Sequence, residues 1–184
     1  MKNQISILAL DLGSNLGWCR CSCILKPEIK LNVIDHGTIY LDQLTQDRMK
    51  KDHNDVFSRH RTRMIVYEEV IRKLIEVVKF DCYVTEDVFC MPNRISAFRS
   101  LALYLEIFER IVNTEKQKQL YTVPPTLIKK HISNYGLTDK ALVQQAVLDH
   151  PAITIQKNTE MTHHESDSIA GAYAFVMSFL ASAI

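Results

Sequence analysis

A six-residue apolar run near the start of the chain, residues 5–10, stops at an acid, Asp11. A continuous apolar run of this length is typical of a strand buried in the middle of a sheet. The residues that follow, 12–17, include two glycines and favour a turn. A carboxylate in this position is held at the edge of a sheet while its oxygens stay open to solvent or to a cation. We therefore predict a buried first strand that ends at Asp11.

The rest of the chain alternates between strand patterns and helix patterns. Residues 18–25 and 31–41 are predicted as two further strands, so the first three strands form an antiparallel meander. Helical spacing predicts a long helix over 56–78 and another over 95–113, which is apolar on more than one face, as in a core or a dimer interface. The other predicted elements are strands at 82–87 and 120–123, helices capped by Thr126 and Thr138, and a last helix from His163. These elements predict an α/β fold, with a mixed five-stranded sheet flanked by helices.

The chain has the length of one ordinary domain. Its 184 residues are 47% hydrophobic, and no Pro-rich or Gly-rich linker interrupts them, so we expect a single domain over residues 1–184. The first apolar run is too short for a secretion signal, and the apolar segment at 169–184 is too short to cross a bilayer. A cytoplasmic protein without a membrane partner is therefore expected.

Three of the five cysteines, Cys19, Cys21 and Cys23, alternate along the predicted second strand. Alternation places their side chains on one face of the sheet. We favour reduced thiols packed as small apolar side chains. The alternative, a zinc site, needs four converging ligands, and neither Cys82 nor Cys90 has the usual spacing for one.

Acidic residues stand at two further positions where the predicted elements begin or end. Glu86 lies at the end of the short strand at 82–87, and the last helix opens with a run that contains His164 and Asp167 three residues apart, on one helix face. If the first strand and the strand at 82–87 are parallel neighbours, Asp11 and Glu86 emerge at the same sheet edge. Carboxylates with one imidazole form a mostly oxygen site that suits Mg²⁺ or Mn²⁺. Taken singly, each acid also fits a turn, a salt bridge or a solvated helix start.

Basic residues are concentrated in residues 47–63, where six lysines and arginines face three aspartates. Arg59, Arg61 and Arg63 are the candidates for phosphate contact in this segment, although a solvated surface explains the pattern equally well. A second candidate surface for nucleic acid consists of Lys129, Lys130 and Lys140. Phe89 follows Glu86 closely and is a candidate wedge between base steps, or else a core residue.

Several segments of the chain resemble the RuvC family of Holliday junction resolvases in their order and spacing. Residues 8–14 with Gly17 and Trp18 are similar to the first acidic motif of that family, and residues 84–89 are similar to the second. Residues 123–125 with the lysines, Gly136 and Val143 resemble the following segment, and residues 164–170 resemble the last acidic motif. Two departures are Leu12, where the family often has proline, and His164, where many members have aspartate.

The resemblance implies an RNase H-like fold, a homodimer, Mg²⁺ as cofactor with Mn²⁺ as a substitute, and branched DNA as partner. It implies paired cuts across a four-way junction, with Asp11, Glu86, His164 and Asp167 as the catalytic and metal-binding set. His164 is expected to ligate a cation or to orient the attacking water.

Other functions remain open from the sequence. The segment 11–17 also resembles the phosphate loop of the actin and sugar-kinase ATPases, but those proteins need two related domains. A junction-binding protein without catalysis is a further alternative, although the three acids argue for a working site. A related nuclease that acts on other branched DNA or on RNA is the third.

Overall fold

A mixed six-stranded sheet forms the centre of the protein. The computed structural model describes residues 3–51, 58–88, 95–133, 139–156 and 160–181. The strands are, in chain order, β1 (Gln4–Asp11), β2 (Asn15–Ile24), β3 (Lys30–Tyr40), β4 (Cys82–Glu86), β5 (Leu120–Val123) and β6 (Ile153–Ile155). They are arranged in the sheet in the order β5-β4-β1-β2-β3-β6.

Strand β1 lies in the interior of the sheet because both of its faces are apolar. Leu8 and Leu10 point to one side and Ile7 and Ala9 to the other, and all four are at most 1% exposed. The strand pairs antiparallel with β2 and parallel with β4. The predicted meander of the first three strands and the predicted α/β sheet are thus confirmed.

The sheet has one strand more than the sequence predicted. Residues Ile153–Ile155 form β6, which pairs parallel with β3 over residues 31–33. The strand follows a proline and has only three residues, which is too few to produce a periodic strand signal in the sequence. Only its pairing with β3 makes the segment a strand. The strand extends the sheet at the edge opposite β5.

Six helices cover the two faces of the sheet. They are α1 (Leu41–Lys51), α2 (Arg59–Glu76), α3 (Ile95–Ile111), α4 (Pro125–Ser133), α5 (Lys140–Leu148) and α6 (His163–Phe175). Side chains from α1 to α3 bury one face, and side chains from α4 to α6 bury the other. None of the described helices is both long and apolar enough to cross a membrane.

Helix starts differ from the predictions in three places. Helix α1 was not predicted, because only Leu41 and Thr45 of its side chains are buried and it has no apolar stripe. Thr126 is not a cap: α4 begins at Pro125, whose missing N–H costs nothing in a first turn. The predicted cap Thr138 lies outside the described residues, and Asp139 caps α5 by accepting a hydrogen bond from the Ala141 amide.

Helix α3 buries one face within this chain. Tyr104, Phe108 and Ile111 are in the core, whereas Ile95 and Leu103 are 53% and 38% exposed. The second apolar face that the sequence predicted is therefore open to the surface. It is available to another chain.

The cysteine row on β2 is buried, as predicted. Cys19, Cys21 and Cys23 are at most 1% exposed, and the sulfur atoms of the first two are 3.5 Å apart. Burial raises the pKa of the Cys23 thiol to about 11. The Cys23 thiol therefore stays protonated at neutral pH, and the three cysteines pack against α6 as small apolar groups.

Gly17 is the point at which α6 approaches the sheet most closely. A Cβ atom at this position would lie 2.0 Å from the carbonyl oxygen of His164 and 2.4 Å from its carbonyl carbon. Any side chain here would push the start of α6 off the sheet. Tertiary packing therefore requires glycine at position 17, in the turn-prone segment that follows Asp11.

We predict that Gly17→Ala destabilises the protein by about 1–3 kcal/mol, because the added methyl group overlaps backbone that cannot move without displacing α6. Gly171→Ala is the matched control. Its Cβ would meet no atom closer than the Ile128 Cδ1 at 4.0 Å, and alanine in a helix interior should stabilise by roughly 0.5–1 kcal/mol. Urea unfolding measures both changes, and equal effects would contradict the close approach at Gly17.

Candidate metal centre

Two acids meet at one edge of the sheet because their strands are parallel neighbours. Asp11 is the last residue of β1 and Glu86 is the last of β4, and the residues before them, Leu10 and Thr85, are paired in register. The hydroxyl of Thr85 also donates a hydrogen bond of 2.9 Å to the carbonyl oxygen of Leu10. Both carboxylates are therefore fixed at the same edge, as the sequence predicted.

The first turn of α6 brings an imidazole and a third acid to this edge. The Nδ1 atom of His164 lies 2.9 Å from the Oδ2 atom of Asp11. Asp167 follows three residues later on the same side of the helix, and its charge interacts with Asp11 and His164. The structure thus brings together all four residues of the predicted metal set.

Asn15 contacts the other nitrogen of His164 and was not predicted as a site residue. Its Nδ2 atom lies 3.2 Å from His164 Nε2. When the Asn15 amide donates this hydrogen bond, Nε2 is the acceptor and the ring proton lies on Nδ1, where it is donated to Asp11. Binding a cation through Nε2 then requires Asn15 to release it. In the sequence, the only signal that could have identified Asn15 as a site residue is its position four residues after Asp11.

Burial, with a smaller contribution from mutual repulsion, raises the pKa of two of the carboxyls, Glu86 and Asp167, towards neutral pH. Burial raises the pKa of Glu86 to about 7, and the charges of Asp11 and Asp167 add to this, against the opposing charges of Lys129 and Lys140. Burial, followed by the charge of Asp11, raises the pKa of Asp167 to about 6. A bound cation would relieve this repulsion.

The donor set fits a hard divalent cation in an open site. Among the described residues, no group of three or more His, Cys, Asp or Glu side chains is arranged so that it could hold a metal ion as it stands. The three carboxylates and His164 are close enough to shift pKa values, and oxygen ligands with one imidazole suit Mg²⁺ or Mn²⁺. Such a site keeps room for water and for a phosphate beside the cation.

The acids form the floor of an open cleft of about 680 Å³. Its far wall comes from α3, through Phe98, Leu101 and Tyr104, and from α2, through Arg63. The cleft therefore combines an acidic floor with an aromatic and basic wall. This wall was not predicted from the sequence, apart from Arg63.

Two of the three arginines of the predicted basic surface, Arg59 and Arg63, are engaged in ion pairs. Arg63 contacts Asp42 directly, and Arg59 lies 3.5 Å from the same carboxylate. Asp42 thereby offsets part of the positive charge that the sequence assigned to phosphate contact. Arg61 is exposed in the first turn of α2. Of the other candidates, Phe89 lies outside the described residues.

The second candidate surface, formed by Lys129, Lys130 and Lys140, lies closer to the acids than the arginine surface does. The charges of Lys129 and Lys140 lower the pKa of Glu86, and that of Lys140 also lowers the pKa of Asp167. Both lysines and Lys130 are exposed. Positive charge therefore borders the acidic floor on the side of α4 and α5.

Comparison with known proteins identifies the fold. No family model and no curated protein matches the sequence. The structure matches Thermus thermophilus RuvC with a TM-score of 0.67 at 14% identity, over 94% of this chain and 93% of that chain. The same protein in complex with a Holliday junction substrate matches with a TM-score of 0.67 at 13% identity, over the same shares of the two chains. The yeast mitochondrial Holliday junction resolvase Ydc2 matches with a TM-score of 0.61 at 13% identity, over 92% of this chain and 78% of that chain.

The class of protein that these matches define is the α/β class with an RNase H-like sheet. Within that class, the fold is RuvC-like, as the resemblance in the sequence predicted. The four gathered residues lie on β1, β4 and α6 of this fold.

The raised pKa of Glu86 predicts a pH dependence of stability in metal-free buffer. A carboxyl whose pKa is raised by folding contributes stability below its unfolded pKa and loses it as pH rises through the folded value. The free energy of unfolding of the wild type should therefore fall relative to Glu86→Gln as pH rises from 5 to 8, by on the order of 2 kcal/mol.

Urea unfolding of both proteins in EDTA measures this difference. Glu160→Gln is the control, because Glu160 is exposed and its charge is not among those that shift the pKa of Glu86 or Asp167. If the difference in the free energy of unfolding between wild type and Glu86→Gln is the same at pH 5 and pH 8, folding does not raise the pKa of Glu86.

Proposed function

We propose that this chain is a divalent-metal-dependent endonuclease that resolves four-way DNA junctions by paired phosphodiester hydrolysis, a crossover junction endodeoxyribonuclease. The observation that supports it is the gathering of Asp11, Glu86, His164 and Asp167 on the floor of an open cleft in a RuvC-like fold. Phosphodiester hydrolysis uses a cluster of this kind. In this proposal residues 1–184 act as one nuclease domain.

Each residue of the set has its own part in the reaction. The charge of Asp11 acts on both Glu86 and Asp167, so Asp11 would help to hold the cations together with either of them. Glu86 and Asp167 would each complete one cation site. His164 would ligate through Nε2, after Asn15 releases it, or orient the attacking water. When bound, Mg²⁺ or Mn²⁺ supplies Lewis acidity for the attacking water and the leaving oxygen.

The lysines next to the acids serve the substrate. Lys129 and Lys140 are exposed and close enough to the floor of the cleft to change the pKa of Glu86. Phosphate oxygens entering the cleft would meet these ammonium groups before they meet the carboxylates. The lysines therefore offset the repulsion between an acidic site and an anionic strand.

Junction resolution needs two active sites, and one chain carries one. We infer a homodimer whose interface is the exposed apolar face of α3 at Ile95 and Leu103. The junction as substrate draws on RuvC, which has been solved in complex with a Holliday junction substrate. Other branched DNA and structured RNA have the same phosphodiester chemistry and are the alternative substrates, and a junction-binding protein without catalysis is the alternative function.

Asp11→Asn should reduce cleavage of a synthetic four-way junction by more than about 100-fold. Loss of a residue that only hydrogen-bonds to a metal ligand already lowers activity, and loss of the ligand itself should lower it further. Binding to the junction in EDTA should be retained. The assay compares the four-way junction with a duplex and a structured RNA, with and without Mg²⁺ or Mn²⁺.

Asp149→Asn is the matched control for that experiment, since Asp149 is exposed at the end of α5 and its side chain accepts a hydrogen bond from Gln145 of the same helix. It should cleave like the wild type. Cleavage by Asp11→Asn at the wild-type rate would refute the proposed site. A wild type that binds the junction and cuts none of the substrates would support the binding-protein alternative.

The salt dependence of junction binding should identify the basic surface that is used. Replacing Lys129 and Lys140 together by alanine should lower the slope of log affinity against log salt by about 1 per lost phosphate contact. The triple replacement of Arg59, Arg61 and Arg63 should change it less, because Asp42 already pairs with two of these arginines.

Gel-shift titrations in EDTA measure these slopes. Lys79 and Lys118 replaced together by alanine are the control pair, because they are exposed near the starts of β4 and β5, at the sheet edge away from the acids. An unchanged slope in the lysine variant at 129 and 140 would remove that surface from the interface.

A further inference from the structure

A buried polar cluster lies beneath the first turn of α6 and has no part in the proposed reaction. It consists of His36 and Thr38 on β3, Thr162 at the cap of α6, and Glu165 in its first turn. His36 is 2% exposed and Glu165 is 6% exposed. A buried imidazole and a buried carboxylate this close to a cleft call for an explanation.

The cluster binds both oxygens of the Glu165 carboxylate. The Oε2 atom lies 2.5 Å from His36 Nδ1, and the Oε1 atom accepts hydrogen bonds from the hydroxyls of Thr38 at 2.9 Å and Thr162 at 3.2 Å. The backbone amide of Glu165 donates to the Thr162 hydroxyl, which closes the helix cap. The contacts join β3 to α6 in several directions and fix both the rotation and the axial position of the helix.

The register of the sheet builds this arrangement. Residue Thr38 is paired with Gly17, and His36 is paired with Cys19, so the polar side chains of β3 lie next to the smallest residue of β2. The missing side chain at Gly17 lets the backbone of α6 come down onto the sheet. Only at that distance can Glu165 reach His36 and Thr38.

Stability alone is a poor explanation for the buried pair. A buried ion pair contributes little compared with well-packed apolar residues of the same volume. In addition, the buried Nε2 atom of His36 has no hydrogen-bond partner among the described residues, which is unfavourable. What the pair does provide is a fixed orientation of the Glu165 side chain, because its carboxylate is held by His36 on one oxygen and by Thr38 and Thr162 on the other.

The orientation of Glu165 matters because this residue lies in the sequence between His164 and Asp167 of the candidate metal centre. Residues 164 and 167 are about 60° apart around the helix, since each residue adds about 100°, and Glu165 points away from them into the sheet. Holding Glu165 therefore fixes the side of α6 that carries His164 and Asp167. A small rotation of the first turn would move both away from Asp11.

We propose that His36 is a positioning residue: by holding Glu165 it sets the first turn of α6 so that Asp167 and His164 face Asp11 and Glu86 at the metal centre. The inference rests on the proposed function, because it assigns His36 a role towards the cations of that site. It adds a residue on β3 that the four-residue set does not include.

The experiment measures Mn²⁺ binding by the whole protein, from the free-ion signal in electron paramagnetic resonance, at a temperature where every variant is folded. His36→Ala should weaken Mn²⁺ binding by about 10- to 100-fold. His36→Asn keeps a nitrogen donor at the position of Nδ1 and should recover most of the affinity. Junction cleavage by the same proteins should lose kcat, with KM unchanged.

Ile75→Ala is the matched control, because Ile75 is fully buried in α2 on the opposite side of the sheet. It should lower the melting temperature and leave Mn²⁺ affinity at the wild-type value. If His36→Ala behaves like Ile75→Ala, with only a lower melting temperature, His36 is a structural residue and the inference is overturned. The same conclusion follows if His36→Asn recovers nothing.

The outcomes separate this inference from the proposed function. A wild type that binds Mn²⁺ but cuts no junction refutes the nuclease proposal, while the comparison of Mn²⁺ affinities still decides the role of His36. A wild type that binds Mn²⁺, cuts the junction and is matched by His36→Ala in both refutes the positioning role alone. A wild type that binds no Mn²⁺ overturns both.

Discussion

The parallel pairing of β1 with β4 is the constraint on which the rest of the structure depends. Parallel strands end at the same edge, so the pairing brings Asp11 and Glu86 together. It also needs a long connection, and the chain between the two strands supplies β2, β3 and two of the helices that cover one face of the sheet, α1 and α2. Residues 7–10 of β1 are then apolar and buried on both faces, and Asp11 follows them at the end of the strand, outside the core.

The same geometry places like charges close together, and this opposes folding. Burial and mutual repulsion raise the pKa of Glu86 and Asp167, so the metal-free site holds protons that ordinary carboxyls would lose. The apolar layers on both sides of the sheet offset this cost. A cation at the site would turn the repulsion into attraction, since it prefers the ionised form of each acid. Charge conflict in an otherwise consistent fold is typical of a working site.

The sequence predicted those parts of the fold whose signal is local. The apolar run before Asp11 and the alternation on β2 predict the meander, and an acid at a strand end predicts the site edge. The sequence could not predict β6, because pairing with β3 alone makes it a strand. It missed the contact between His36 and Glu165 for a similar reason, since 129 residues separate them and only the register of β3 beside Gly17 brings them together. Tertiary contacts of this kind leave no periodic trace.

The two sides of the cleft are built differently, and this difference suits a site that must hold a precise geometry and still admit a bulky substrate. Helix α6 is buried along almost its whole length, so the side that carries the acids has a rigid support. On the opposite wall, α2 and α3 are joined by the tilted rings of Tyr67 and Tyr104, whose centroids are 4.3 Å apart, and by the ion pair of Glu68 with Arg110 at the surface. Surface ion pairs contribute little and exchange readily with other partners. The surface contact between α2 and α3 can therefore rearrange without disturbing α6, which carries His164 and Asp167.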